Sequence, residues 1–196
     1  MKKIITINRK FGAAGGKIGR IVADRLGYEY VDHDLVEHAA MKANLTLAQS
    51  SDLDEKVPHE YGFAQSLFGV YRTTLEDRFM EAQKKVIEQF GNHGRCVIVG
   101  RNADAILSEF DSTLHVFIYG AESWRLEYIK NNLYPDLSYS ELKALLHDVD
   151  KGRRKYCNYY TQREFGLAEN YDLCLCSSSL GIEKCVDIIC DIAKSL

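Results

Sequence analysis

Four short stretches of this chain carry residue types that can handle phosphate. The first is Asn8-Arg9-Lys10-Phe11-Gly12-Ala13-Ala14-Gly15-Gly16-Lys17. Glycines at 12, 15 and 16 let a turn aim successive backbone N–H groups inward. Those donors, with the positive end of a following helix, make a cradle for an anion. A tight strand-to-helix turn without a ligand is the bland alternative, and the added lysine tips the reading toward phosphate. The usual G-x-x-x-x-G-K pattern, closed by Ser or Thr, is not met. Counting back from Gly16-Lys17 puts Phe11 at the first glycine, and Ile18 follows the lysine. The hydroxyl that normally holds magnesium is absent in that register.

The second stretch is Gly100-Arg101-Asn102, directly after an apolar run. A guanidinium at a strand end can grip a phosphate through two parallel bonds, or simply begin the next helix. The third, Asp150-Lys151-Gly152-Arg153-Arg154-Lys155, reads on its own as a solvated helix face. The fourth is Asp32-His33-Asp34, in which Asp34 is placed to cap a helix.

The elements that must position these groups follow from periodicity. Ile4–Ile7, Tyr28–Val31, Cys96–Val99, Leu114–Tyr119 and Asp172–Cys176 are short runs, largely apolar rather than alternating. Strands read this way when helices cover both faces of a parallel sheet. Helical spacing predicts helices over Lys17–Leu26, Leu35–Ala43, Thr73–Phe90, Ala121–Asn131, Ser138–Tyr160 and Ile182–Ala193, with Gly91-Asn92-His93-Gly94 as a breaker. Residues 44–70 hold no clean period. Right-handed crossovers between these strands give a doubly wound α/β sandwich, whose ligands bind beyond the carboxyl ends of the strands. The first, second and fourth stretches fall there, as do Gly120 and Ser177–Ser179, while the third lies within the Ser138–Tyr160 helix.

Composition narrows the rest. With 196 residues, 46% hydrophobic and 27% charged, one folded core is expected and wholesale disorder is excluded. A formal net charge of −3 offers no general attraction for nucleic acid or an acidic membrane. No run approaches the roughly 20 apolar residues that cross a bilayer, so a cytoplasmic protein of open oligomeric state is expected. Cysteines are six, without a C-x-x-C pair, and Cys174 and Cys176 alternate in a strand, so buried reduced thiols are expected rather than a metal site. Tyr156 to Tyr160 reads as packing of a helix against the core rather than base stacking.

Ile7 to Gly19, with Leu26-Gly27, Tyr30-Val31-Asp32, Val99 to Asn102, Asp150 to Arg153 and Glu169 to Cys174, resembles the cytidylate kinase-like proteins. These are a divergent branch of the P-loop nucleoside monophosphate kinases, and the likeness spans nearly the whole chain. It implies a P-loop-type three-layer sandwich: five parallel strands in the order 2-3-1-4-5 within a single domain, 1–196. It further implies an acceptor-binding helical insertion near 44–95 and a mobile lid near 138–165. ATP and Mg²⁺ are the implied cofactors, and small-molecule nucleotides the implied partners. Gly12, Ala13, Ala14, Gly15, Gly16, Lys17 and Ile18 become the donor loop. In a gapless match Gly15 falls on the P-loop lysine and Lys17 on its threonine.

By the same likeness Arg101 grips the acceptor phosphate, while Asn102 stands for an aspartate. Asp150 and Arg153 match two positions of the R-D-x-x-D-x-x-R lid signature, whose first arginine is here Leu146, with Arg154 adjacent to compensate. Asp32 matches an aspartate near the phosphates, where it can orient water, the acceptor or magnesium. His33 replaces a small hydroxyl residue, and His38 an arginine. Lys17, Arg153, Arg154 and Asp32 are thus the expected catalytic set, and Asp32, His33, Arg101, Asn102, Asp150 and Arg153 the acceptor set. Two other readings compete: a nucleotide sensor that has lost turnover, and a structural protein that interacts through 44–70.

Overall fold

The computed structural model describes residues 3–42 and 75–195. The irregular 44–70 stretch, and with it most of the expected acceptor insertion, lies outside the described residues. Five parallel strands form one sheet in the order β2-β3-β1-β4-β5. They are β1 Ile4–Arg9, β2 Glu29–Val31, β3 Cys96–Val99, β4 Thr113–Tyr119 and β5 Leu173–Cys176. The central strand is β1, where Ile5 stands beside Val97 on one side and Leu114 on the other.

Two helical layers cover the sheet. On one face α1 (Gly15–Leu26) and α8 (Ile182–Ser195) bury Ile18, Val22, Val186 and Ile189 against Ile5, Ile7, Val116 and Ile118. On the other, α2 (His33–Lys42) and α3 (Leu75–His93) bring Val36, Val86 and Ile87 onto Ile4, Val31 and Ile98. Each fully buried isoleucine contributes about 1.5–3 kcal/mol by leaving water. The remaining helices are α4 (Ala103–Ile106), α5 (Glu122–Asn132), α6 (Tyr139–Thr161) and α7 (Ser177–Leu180).

The expected strands are all present, but several helix boundaries move. Helix α1 starts at Gly15, two residues before Lys17. Glycine is a weak helix former, yet here its missing side chain is what lets the turn close, since a Cβ on Gly15 would meet Arg9 at 2.7 Å. Helix α3 runs through Gly91 to His93 instead of breaking there. Leu107 would stand 2.8 Å from a Cβ on Gly91, so that glycine serves close packing within the helix. Gly152 likewise leaves α6 unbroken, a 23-residue helix opened by a reciprocal Ser138–Glu141 cap. The cap of α2 is Asp32 and not Asp34, because the Asp32 carboxylate accepts the Leu35 N–H at 3.2 Å. Cys174 and Cys176 are only partly buried, and all six cysteines are free thiols. Among the described residues no helix is long and apolar enough to cross a membrane.

Candidate functional site

Beyond the carboxyl end of β1 the chain turns through Lys10 and Phe11, and Gly12 (φ 74°) and Ala14 (φ 60°) both take left-handed conformations. Gly12 needs its freedom for packing as well as for the turn. A Cβ there would meet Ile129 at 2.7 Å and the Arg125 carbonyl at 2.9 Å. The turn delivers the chain into α1 with its first amides exposed to the loop. No acceptor among the described residues takes the N–H groups of Gly12, Ala14, Gly15, Gly16 or Lys17, whereas Ala13 and Ile18 donate to Lys10 and Ala14. Helix N-terminal amides left over in this way are the donors that bind anions.

A cavity of about 190 Å³ lies over these amides, lined by Arg9, Lys10, Phe11, Gly12, Ala14 to Lys17, Tyr128, Leu133 and Arg153. Its charged lining is entirely cationic. Lys17 is exposed and Arg9 half-buried. Arg153 donates to the Arg9 carbonyl at 3.1 Å, and its guanidinium lies 5.7 Å from the centre of the Phe11 ring. Arg154, one position along α6, is exposed and does not line this cavity.

What holds the loop in this shape is a buried ion pair. Arg125 on α5 and Asp150 on α6 meet at 2.7 Å, each side chain only 6% exposed. Both also bind the backbone of the same residue. The Phe11 N–H donates to Asp150 at 2.8 Å, and Arg125 donates to the Phe11 carbonyl at 3.0 Å. Asp150 recurs on one helical stripe with Leu142 and Leu146, which pack on Ile129 and Phe11. Asp150 is therefore occupied in fixing the donor loop, and the acceptor role expected of it has no geometric support. The expected lid helix is joined to the loop by two hydrogen bonds, Phe11 N–H to Asp150 and Arg153 to the Arg9 carbonyl.

Asp32 is also engaged, capping α2 and pairing with Arg20 at 3.5 Å. No carboxylate lines the cavity, and the described residues contain no cluster of three or more metal-ligating side chains. The described residues around this cavity therefore do not build a protein-held magnesium site.

A second corner forms at the carboxyl end of β3. Gly100, Arg101 and Asn102 are consecutive left-handed residues (φ 81°, 58° and 52°). For the two with side chains this conformation is costly, and such residues concentrate where geometry serves a purpose. Arg101 is buried and donates to the imidazole of His33, which brings two of the expected acceptor residues together. Asn102 is 4% exposed, and its amide nitrogen has no partner among the described residues. His38 is exposed on α2.

Beneath this corner lies a polar network that the sequence did not signal. Asn8 on β1 donates to Asp104 at 3.4 Å and to the Tyr171 hydroxyl at 3.3 Å. Burial pushes the Asp104 carboxyl above the ordinary range. Nearby, the His115 ring contacts the Thr6 hydroxyl at 2.8 Å, and burial lowers its pKa, opposed by Asp172 and aided by Arg163. Tyr156 is buried with its hydroxyl 3.3 Å from Gln83, so that part of the aromatic run does pack inward. A larger groove of about 520 Å³ between α3 and the end of α6 has mixed charge, with Asp77, Glu81 and Glu88 beside Lys84 and Arg163.

Comparison with known proteins agrees with this architecture. No curated protein matches the chain by sequence. Among solved structures, a protein from Eubacterium ventriosum matches with a TM-score of 0.76 at 19% identity, covering 100% of both chains. Shikimate kinase from Bacteroides thetaiotaomicron matches with a TM-score of 0.57 at 10% identity over 99% of each chain. A gluconokinase from Sinorhizobium meliloti matches with a TM-score of 0.56 at 14% identity, covering 99% of this chain and 95% of its own. At these identities the likeness is one of fold, that of small-molecule P-loop kinases. The model of the cytidylate kinase-like family matches residues 4–179, and the chain belongs to that family.

Proposed function

We propose that this protein transfers the γ-phosphoryl group of ATP to a nucleoside monophosphate or a related small phosphorylated acceptor. The supporting observation is the all-cationic cavity over amides that the described residues leave unused. Donor phosphates lie over the N-terminus of α1, with Lys17 at the mouth and Arg153 across from it. Arg101, backed by His33 and Asn102, holds the acceptor. Phosphoryl transfer asks mainly for positioning and charge neutralisation, so no nucleophilic side chain is required. Any magnesium travels with the nucleotide, since no carboxylate among the described residues lines the cavity.

The test is ATP consumption across a panel of nucleoside monophosphates, with shikimate and gluconate as further arms because of the fold neighbours. Turnover that depends on one acceptor supports the proposal. ATP bound but never consumed supports the second reading, a nucleotide sensor. That reading is favoured by Gly15 at the position of the P-loop lysine and by the lack of a carboxylate in the cavity wall.

A further inference from the structure

The loop has no lysine where a P-loop would carry one, and the space that lysine would enter is already occupied. A Cβ placed on Gly15 would lie 2.7 Å from Arg9 Cβ and 2.8 Å from Arg9 Cγ. The Arg9 side chain thus runs directly across Gly15. Its far end lies on a second glycine, with Arg9 Cζ 3.1 Å from the Cβ position of Gly100 and Arg9 Nη1 nearer still. Two glycines from different strand ends together clear a path for one arginine. The same arginine lines the phosphate cavity, beside the amides of Gly15 and Gly16.

The sequence shows the matching exchange. In G-x-x-x-x-G-K the first glycine precedes the lysine by six positions, so a lysine position at 15 puts that glycine at 9. In this chain residue 9 is arginine and residue 15 is glycine. Glycine and cation have traded places.

We propose that Arg9 is the cation that binds the transferring phosphate, delivered from the first position of the loop in place of the missing lysine. This rests on the functional reading above. Lys10, Lys17 and Arg153 also line the cavity, but the atoms nearest both Gly15 and Gly100 are those of Arg9. The end of the Arg9 side chain reaches Gly100, the residue before Arg101, so its guanidinium stands between the donor loop and the acceptor corner. A planar fork with several donors can hold oxygens on two phosphates at once, which a single ammonium does less well.

The experiment measures binding of ATP and of inorganic triphosphate to the full chain by calorimetry, with thermal unfolding as a fold check. Arg9→Met is expected to weaken both ligands on the order of 10- to 100-fold, with the melting temperature little changed. Arg9→Lys should recover part of the loss, and Lys17→Met should cost less than Arg9→Met. Gly15→Lys alone should weaken binding by colliding with Arg9, and Arg9→Gly with Gly15→Lys should restore it. If the wild type binds while Arg9→Met binds equally well, or if Lys17→Met costs more, the assignment of Arg9 is overturned and the phosphate loop stands. If the wild type binds neither ligand, both the assignment and the functional reading fall.

Discussion

The two corners at the carboxyl edge of the sheet are built on opposite plans. At the donor loop the Phe11 peptide is satisfied on both sides, by Asp150 and by Arg125, and the helix of the expected lid is fastened to it. At the corner after β3 three successive left-handed residues carry Arg101, bonded to His33, and a buried Asn102 amide that no described residue pairs. A fully paired buried network rigidifies, whereas an unpaired buried group costs free energy that a ligand can recover. The difference is one of backbone fixing: Arg125 Nε is also without a partner among the described residues, yet the loop is pinned through the N–H and carbonyl of Phe11, whereas no such clamp holds the corner after β3 among the described residues.

The strongest way to break this comparison is at the ion pair. Asp150→Ala leaves Arg125 buried without its carboxylate and should cost about 3–5 kcal/mol, read by denaturant unfolding. Replacing both, as Arg125→Met with Asp150→Leu, should regain much of that stability. It should not regain nucleotide affinity, because the Phe11 peptide still lacks its partners. Full recovery of affinity in the double variant would mean that the loop shape does not depend on the clamp.

At the acceptor corner the expected pattern is reversed, with less effect on stability and more on one ligand. Arg101→Ala should weaken the acceptor on the order of 10-fold or more, as expected for a lost bond to a charged group, while ATP affinity stays close to wild type. Lys17→Ala should weaken ATP instead. Separate titrations of each variant with each ligand decide this, and equal losses for both ligands would erase the distinction between the corners. Asn102→Ala removes an amide that no described residue pairs and should change stability by roughly 1 kcal/mol or less, while raising the KM of the acceptor. A large loss of stability there would show that the amide is satisfied within the protein.

The smallest expected effect concerns pH. Unfolded histidine titrates near 6.5, and burial holds His115 below that value in the folded chain. As pH falls through about 6.5 the unfolded state takes up a proton that the native state refuses, so stability declines and then levels below the folded pKa. His115→Gln should flatten that part of the profile in unfolding experiments between pH 5 and pH 8. An unchanged slope would assign it to another group.

Much of the fold was legible because a strand buried on both faces leaves an unmistakable apolar run. The gaps lay where tertiary packing overrides local preference. Gly15 reads as a loop residue and Gly91 as a breaker, yet each lies within a helix. The reason is a neighbour that a methyl would strike, Arg9 for Gly15 and Leu107 for Gly91, which no window along the sequence reveals. The Arg125–Asp150 pair spans 25 positions and two helices, so neither residue announced the other. The loop itself was legible from its glycines, and Arg101 from its place after a strand. Arg9 was passed over because a basic residue beside Lys10 looks like ordinary loop charge until its path between two glycines is traced.

The position of β1 also bears on how the chain is made. Of the five strands β1 is made first, yet it is the middle one of the sheet, and both of its neighbours, β3 and β4, come from residue 96 onward. At about 5–20 residues per second, Ile4, Ile5 and Ile7 wait for several seconds with no strand to pair with. An unpaired β-branched edge is prone to pair with other chains, so the nascent protein needs shelter during that interval. Slowing translation between β2 and β3 should therefore lower the soluble yield, even though the finished fold would be identical.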